Sequence, residues 1–232
     1  MHKRLYYLTS AGYALQNISK QRLKISRIDD LNDPFELRPG NSQDRELRKK
    51  FLDFRKSFHE EHGVICFSQR WSNPVLWSHY GDKHRGICLG FDVCERYVFP
   101  VKYVDSVQQF DLTAMEYENV RGLDFARDEV AKVLTTKFRH WEYEDEMRAF
   151  CLLDHSAALD GLYFYEFGAE LRLREVIIGA RCEEKVERVC EISRSVSNDI
   201  KVRKSRLAFT KFEVIEHAGF TKRISRYMQM KP

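Results

Sequence analysis

Residues 63–68, Gly63-Val64-Ile65-Cys66-Phe67-Ser68, form a short apolar run that opens on a glycine and closes on a hydroxyl. From Val64 to Ser68 the run is too short for a helix and reads as a buried strand. Upstream, Leu47, Phe51, Phe54 and Phe58 recur at helical spacing, so residues 42–62 are expected to be an amphipathic helix that Gly63 ends. Downstream, Pro74 follows Ser72 and Asn73 and marks a helix start, carrying Val75, Leu76, Trp77 and Tyr80. Gly86 to Asp92 reads again as strand, and Pro100 to Val104 is expected to pair beside it.

Working outward from this centre, Leu5-Tyr6-Tyr7-Leu8 reads as a first strand. Ser10 caps a helix with Ala11, Ala14, Leu15 and Ile18 on one face, and Leu23 to Ser26 reads as a second strand. Residues 29–36, DDLNDPFE, must form a loop, because Pro34 pushes Asp33 out of helical angles. Residues 112–138 read as largely helical, with a break near Gly122. Strands are expected over 146–153, 162–167 and 174–178, then a helix over 183–197 and two closing strands over 200–204 and 207–216. Helices and strands mix without a βαβα rhythm. The expected fold is therefore α+β, with mixed or antiparallel sheets and flanking helices, in a single domain over 1–232.

Composition narrows the classes. With 43% apolar and 13% aromatic residues among 232, the chain can build a core. A net charge of +4 permits an anionic ligand without demanding one. The most basic stretch, Lys201, Arg203, Lys204, Arg206 and Lys211, reads as strand residues facing water. The six cysteines form no CxxC pair, and Cys66, Cys88 and Cys151 lie in apolar runs, so they read as reduced core residues. No apolar run approaches the ~20 residues needed to span a bilayer, and the polar start shows no signal peptide. The expectation is a cytoplasmic protein with no membrane partner.

Three polar clusters stand out. In Asn32-Asp33-Pro34-Phe35-Glu36 the plain reading is a turn with capping carboxylates. The sharper one is a rigid loop aiming Asp33 or Glu36 at a ligand, fastened to the core by Phe35. Between Phe67 and Asp92, tryptophan, tyrosine, serine and histidine are dense, which suits stacking on a planar ring as well as core packing. His79, His84 and Asp82 lack the HExxH spacing, so no metal is expected. In Trp141-Glu142-Tyr143-Glu144-Asp145-Glu146-Met147-Arg148, alternation puts Glu144, Glu146 and Arg148 on one face of a strand. Buried acidic groups need a partner, and Arg148 can be it. The structural reading is an ion pair at a strand start; the functional one is a carboxylate held rigidly for catalysis.

The strings LYYL (5–8), LNDPFE (31–36), CFS (66–68), LWSHYGDKHRGICLGFD (76–92) and WEYEDEMR (141–148) resemble a bacterial and phage family catalogued as domain of unknown function 2971. That family's strings are of the types FNDPFE, WSHYA, GICIGFD and W.YEKEWR. The likeness runs from residue 5 to about 180, with Leu31, Gly81 and Met147 as departures. More distantly, the order of elements is similar to ADP-ribosyltransferases of the DNA-modifying toxin type. That likeness implies that Tyr7, Ser68 and Glu146 supply the aromatic, hydroxyl and glutamate motifs, with Glu144 competing for the last. It implies NAD as substrate, held by Tyr7, Thr9, Asn32, Asp33, Arg70, Trp77, His79, Tyr80 and Arg148. A nucleic-acid or protein acceptor follows, as does a partner protein in a defence or toxin–antitoxin system. Two alternatives stay open. One is a magnesium nuclease using Asp33, Glu36, Asp92 and Glu146, weakened because Arg148 stands where a lysine is wanted. The other is a non-catalytic sensor of a nucleotide or phage protein.

Overall fold

A computed structural model describes residues 1–36, 43–108 and 129–230. Most of the helix expected over 112–138 lies outside these residues, as does residue 42. Contacts divide the chain into two interleaved compact units: Met1–Leu23 with Phe67–Glu95 and Glu166–Pro232, and Lys24–Cys66 with Arg96–Tyr165. The α+β class holds, and most strand pairs are antiparallel.

In the first unit the strands are β1 (His2–Thr9), the end of β3 (His62–Ser68), β4 (Ile87–Cys94), β10 (Leu171–Ile178), β11 (Lys201–Leu207) and β12 (Val214–Glu216). Their order is β12-β11-β10-β4-β1-β3, with β10 and β11 parallel. The register Tyr6↔Gly90↔Glu175 fixes which side chains share a face. Leu5, Leu89, Phe91 and Val176 form one buried row. On the other face Tyr6, Leu8, Cys88, Ile177 and Val214 pack around Trp77 of α3 (Pro74–His79). The Ser10 hydroxyl caps α1 (Ala11–Ser19) as expected, and Ala14, Leu15 and Ile18 are its buried face. Helix α1 packs on α5 (Val186–Val196).

In the second unit β3 lies beside β8 (Glu146–Leu152), and β8 beside β5 (Val98–Pro100). A separate parallel pair joins β6 (Lys102–Val104) to β7 (Thr136–Phe138). A further two-stranded sheet joins β2 (Arg22–Ile25) to β9 (Tyr163–Glu166). Residues 100–104 thus pair with β8 and β7, correcting the expectation that they pair beside Gly86–Asp92. The helix α2 (Arg45–Glu61) is capped by Asp44 and buries Phe51, Phe54 and Phe58. With Ile28, Val64, Phe150 and Val130, Val133 and Leu134 of α4 (Glu129–Leu134), they make this unit's core.

Three other expectations change. Gly63 does not end α2, whose last cap is the extended His62. It lies inside β3, where a Cβ would come within 2.3 Å of Ile25 and 2.9 Å of the Ser26 carbonyl. The strand expected over 207–216 is interrupted: β11 stops at Leu207, and β12 is only Val214–Glu216. The chain then forms α6 (Ala218–Met230), packed on β11, a helix not expected from the sequence. Its signal was present in Phe220, Ile224, Tyr227 and Met228, which recur at helical spacing.

Candidate functional site

The first residue of β8, Glu146, is the centre of a charge cluster inside the second unit. A 3-10 turn over Arg139–Glu144 precedes it, and Asp145 closes the turn in left-handed geometry (φ 47°, ψ 53°), which aspartate tolerates. The strand therefore starts at Glu146, not Glu144, yet both carboxylates end up buried. Strand alternation keeps Glu146 and Arg148 together, while Met147, Ala149 and Cys151 fill the opposite side.

Arg148 is 1% exposed, and each of its three guanidinium nitrogens donates inside the protein. Its Nε donates to Glu146 at 2.8 Å, Nη1 donates to the Leu134 carbonyl at 2.7 Å, and Nη2 reaches Glu36 and Glu146. The second cation, Lys137 of β7, meets three carboxylates: Glu144 at 2.5 Å, Glu36 at 2.9 Å and Glu146 at 3.1 Å. The Trp141 ring centre lies 4.9 Å from the same ammonium. The Tyr103 hydroxyl accepts the Glu146 backbone N–H at 2.9 Å, pinning the strand start.

Burial by itself would push the Glu146 carboxyl up, but Arg148 and then Lys137 outweigh it and bring the group down to about 2. Burial pulls Lys137 down as well, and Glu146, Glu36 and Glu144 more than reverse this. Burial raises the neighbouring Cys66 thiol well above its usual range, with Glu146 adding to the effect. Three carboxylates face two cations, which leaves one formal negative charge in an environment closed to water.

Two of the three motifs named from sequence are thus brought together, through Glu36 on one side and Glu144, Glu146 and Arg148 on the other. Lys137 was missed: it was read as the end of a helix, although Thr135-Thr136 is a β-branched break in that pattern. The loop motif contributes by Glu36 alone. The Asp33 Oδ1 accepts the Phe35 N–H at 2.8 Å, and the Glu36 N–H closes the turn on the Asp33 carbonyl. Asn32 is exposed, and Phe35 is 64% exposed, so it is not the anchor it was expected to be. Arg148 spends its donors inside the protein, which corrects its assignment to a ligand phosphate.

The remaining candidates belong to the first unit. Ser68 is buried; its hydroxyl donates to the Arg70 carbonyl at 2.8 Å and accepts the Arg70 N–H at 3.2 Å. Tyr7 and Thr9 are half-buried on β1, and Tyr7 packs edge-on against Phe67. Arg70 and His79 are exposed, and Tyr80 is half-buried with its ring tilted against His79. Trp77 has no exposed surface and its indole N–H donates to the Trp71 carbonyl at 2.6 Å. It is a core residue, correcting its assignment to a cofactor. Beyond Tyr80, Asp82, Lys83 and His84 are all left-handed (φ 46°, 54° and 69°). Gly86 then passes so close to Thr9 that a Cβ would meet its carbonyl at 2.1 Å.

Among the described residues no group of three His, Cys, Asp or Glu side chains is placed to hold a metal ion, and no helix is long and apolar enough to cross a membrane. Compared with protein-family models, curated proteins and solved structures, the chain matches none. Its functional reading therefore rests on its own residues and motifs.

Proposed function

We propose that this chain is an ADP-ribosyltransferase-like protein that uses NAD as substrate and modifies a nucleic-acid or protein acceptor, with Glu146 as its reacting carboxylate. One observation carries the reading: a glutamate opening a strand, held ionised at about 2, within a cluster of net negative formal charge. Cleavage of the nicotinamide–ribose bond builds positive charge on the sugar, and a fixed carboxylate stabilises that charge. A carboxylate held this low is a weak proton acceptor, so the role it suits is charge stabilisation rather than general-base work. Glu146 is only 4% exposed, so reaction at it requires Lys137 to swing away from the carboxylates. Cytoplasmic residence, supported by six free cysteines, and a toxin or phage-defence role with a partner protein belong to the same proposal.

The test is NAD turnover followed by mass spectrometry of released nicotinamide and of candidate acceptors. Glu146→Gln is expected to lower the rate by about 10²–10³-fold, with circular dichroism confirming that the variant is folded. Equal turnover in both proteins overturns the assignment. The roles given to Tyr7, Ser68 and Tyr80 are checked separately by Tyr7→Ala, Ser68→Ala and Tyr80→Ala.

A second reading, a magnesium nuclease, gains one observation: Lys137 brings a lysine to Glu36 and Glu146, the group whose absence weakened it. Nucleic-acid cleavage that a chelator abolishes, without NAD consumption, would select it.

A further inference from the structure

The charge of this chain is unevenly distributed. Residues 201–232 hold nine of its 39 basic residues and two of its 35 acidic ones, leaving 30 basic and 33 acidic in the other 200. The mild overall excess of +4 hides a strongly basic C-terminal surface on a slightly acidic remainder.

Some of these cations have structural duties. Arg203 pairs with Glu175 and Glu216, and the Lys204 ammonium donates to the Gly179 and Cys182 carbonyls. Others face water. Helix α6 turns Thr221 and Ile224 inward and leaves Lys222, Arg223 and Arg226 exposed. The tip between β11 and β12 carries Phe209 at 93% exposure and Phe212 at 101%, with Lys211 between them paired to Glu213. Two phenylalanines held open to solvent lose hydrophobic stabilisation unless something covers them. Guanidinium groups already stack on two nearby rings, Arg206 over Phe209 at 5.1 Å and Arg223 over Phe220 at 5.0 Å. Strand β11 carries both: α6 packs on it, with the Lys204 N–H donating to the Thr221 hydroxyl at 3.3 Å, and the tip leaves its end at Leu207.

We propose that this surface binds single-stranded nucleic acid, with bases stacked on Phe209 and Phe212 and phosphates held by Arg206, Arg223 and Arg226. The inference stands without the ADP-ribosyl reading, because it uses none of the residues of the buried cluster. Open ring faces beside cations are what an unpaired strand needs: every base has a face to stack, and every linkage has a charge to neutralise. A second copy of this chain is disfavoured, since it would bring two basic surfaces together. A membrane is disfavoured because α6 turns its apolar residues onto β11, so the surface offers only Phe209 and Phe212 and lacks the continuous apolar face with which a basic helix lies in a bilayer.

The experiment is fluorescence anisotropy on the full chain with a labelled oligothymidylate and an oligouridylate. The same-length abasic strand, a blunt duplex and phosphatidylserine vesicles are probed in parallel. Binding is expected to favour the single strands. Phe209→Ala/Phe212→Ala is expected to weaken it by at least tenfold, because stacking contributes about 1–3 kcal/mol per base. That variant leaves the fold intact, since both rings are in solvent. The parent should bind the abasic strand as weakly as the variant binds the normal one. Arg223→Gln/Arg226→Gln should instead flatten the salt dependence, by about 0.7 in the log–log slope for each phosphate that is no longer neutralised. Equal affinity of parent and Phe variant for the oligonucleotide overturns the proposal. So does binding to the vesicles alone, or a dimer that the Phe substitutions dissociate.

Discussion

Two charge networks in this molecule use the same chemistry at different depths. In the second unit Glu36, Lys137, Glu144, Glu146 and Arg148 are all 5% exposed or less. In the first, Arg4 bridges Asp92 and Glu175 on a sheet face, Arg174 reaches Asp92 at 3.0 Å, and Arg203 links Glu175 to Glu216. There Arg4 and Asp92 keep 33% and 26% of their side-chain surface in water. Asp92 is lowered by Arg4 and Arg174 against the push of partial burial, but without the large shift seen at Glu146. Water screens the first network and is shut out of the second, so similar distances carry different energies.

The largest expected effect breaks the buried network. Arg148→Met leaves Glu36 and Glu146 facing each other with one cation, and should cost about 3–5 kcal/mol in urea unfolding. Replacing the pair together, as Arg148→Met with Glu146→Leu, should recover part of that loss. Acid acts on the same cluster. Glu146 sits near 2 when folded and 4.5 is its ordinary value, so its contribution is complete above about pH 4.5 and is lost as pH falls toward 2. That contribution is on the order of 3 kcal/mol, and a stability–pH curve of Glu146→Gln should lack it. Tyr103→Phe is smaller. It orphans the Glu146 N–H and should cost about 1–3 kcal/mol without altering the acid limb. Smallest is Asp92→Asn in the half-exposed network, at about 1 kcal/mol or less and shrinking as salt is added. An Asp92→Asn cost as large as that of Arg148→Met would erase the distinction between the two networks.

The same contrast explains what the sequence could and could not disclose. Local features were readable: Ser10 as a cap, Pro74 as a helix start, Asp33 as a turn former, the Phe51–Phe58 stripe, and the Glu146–Arg148 pairing set by strand alternation. Contacts across the chain were not. Glu36 and Arg148 are 112 positions apart, and nothing local to either announces the other. Lys137 stayed hidden because a helical pattern was carried through it, when the chain leaves α4 at Leu134 and turns into β7. Trp77 looked like a stacking surface for a ligand because tryptophan serves both purposes, and only its burial against Trp71 decides between them. Helix α6 was missed because two closing strands were expected to finish the chain at 216, and the helical spacing beyond them went unread.

The most direct measurement is a carbon-13 titration of the glutamate carboxyl groups in the folded protein, with the Glu146 resonance assigned by its loss in Glu146→Gln. The account predicts a Glu146 signal that stays ionised through the ordinary carboxylate range and titrates with a midpoint near pH 2. A midpoint at or above the ordinary 4.5 would mean that Arg148 and Lys137 do not hold the charge, and would remove the ionised carboxylate on which the proposed chemistry depends.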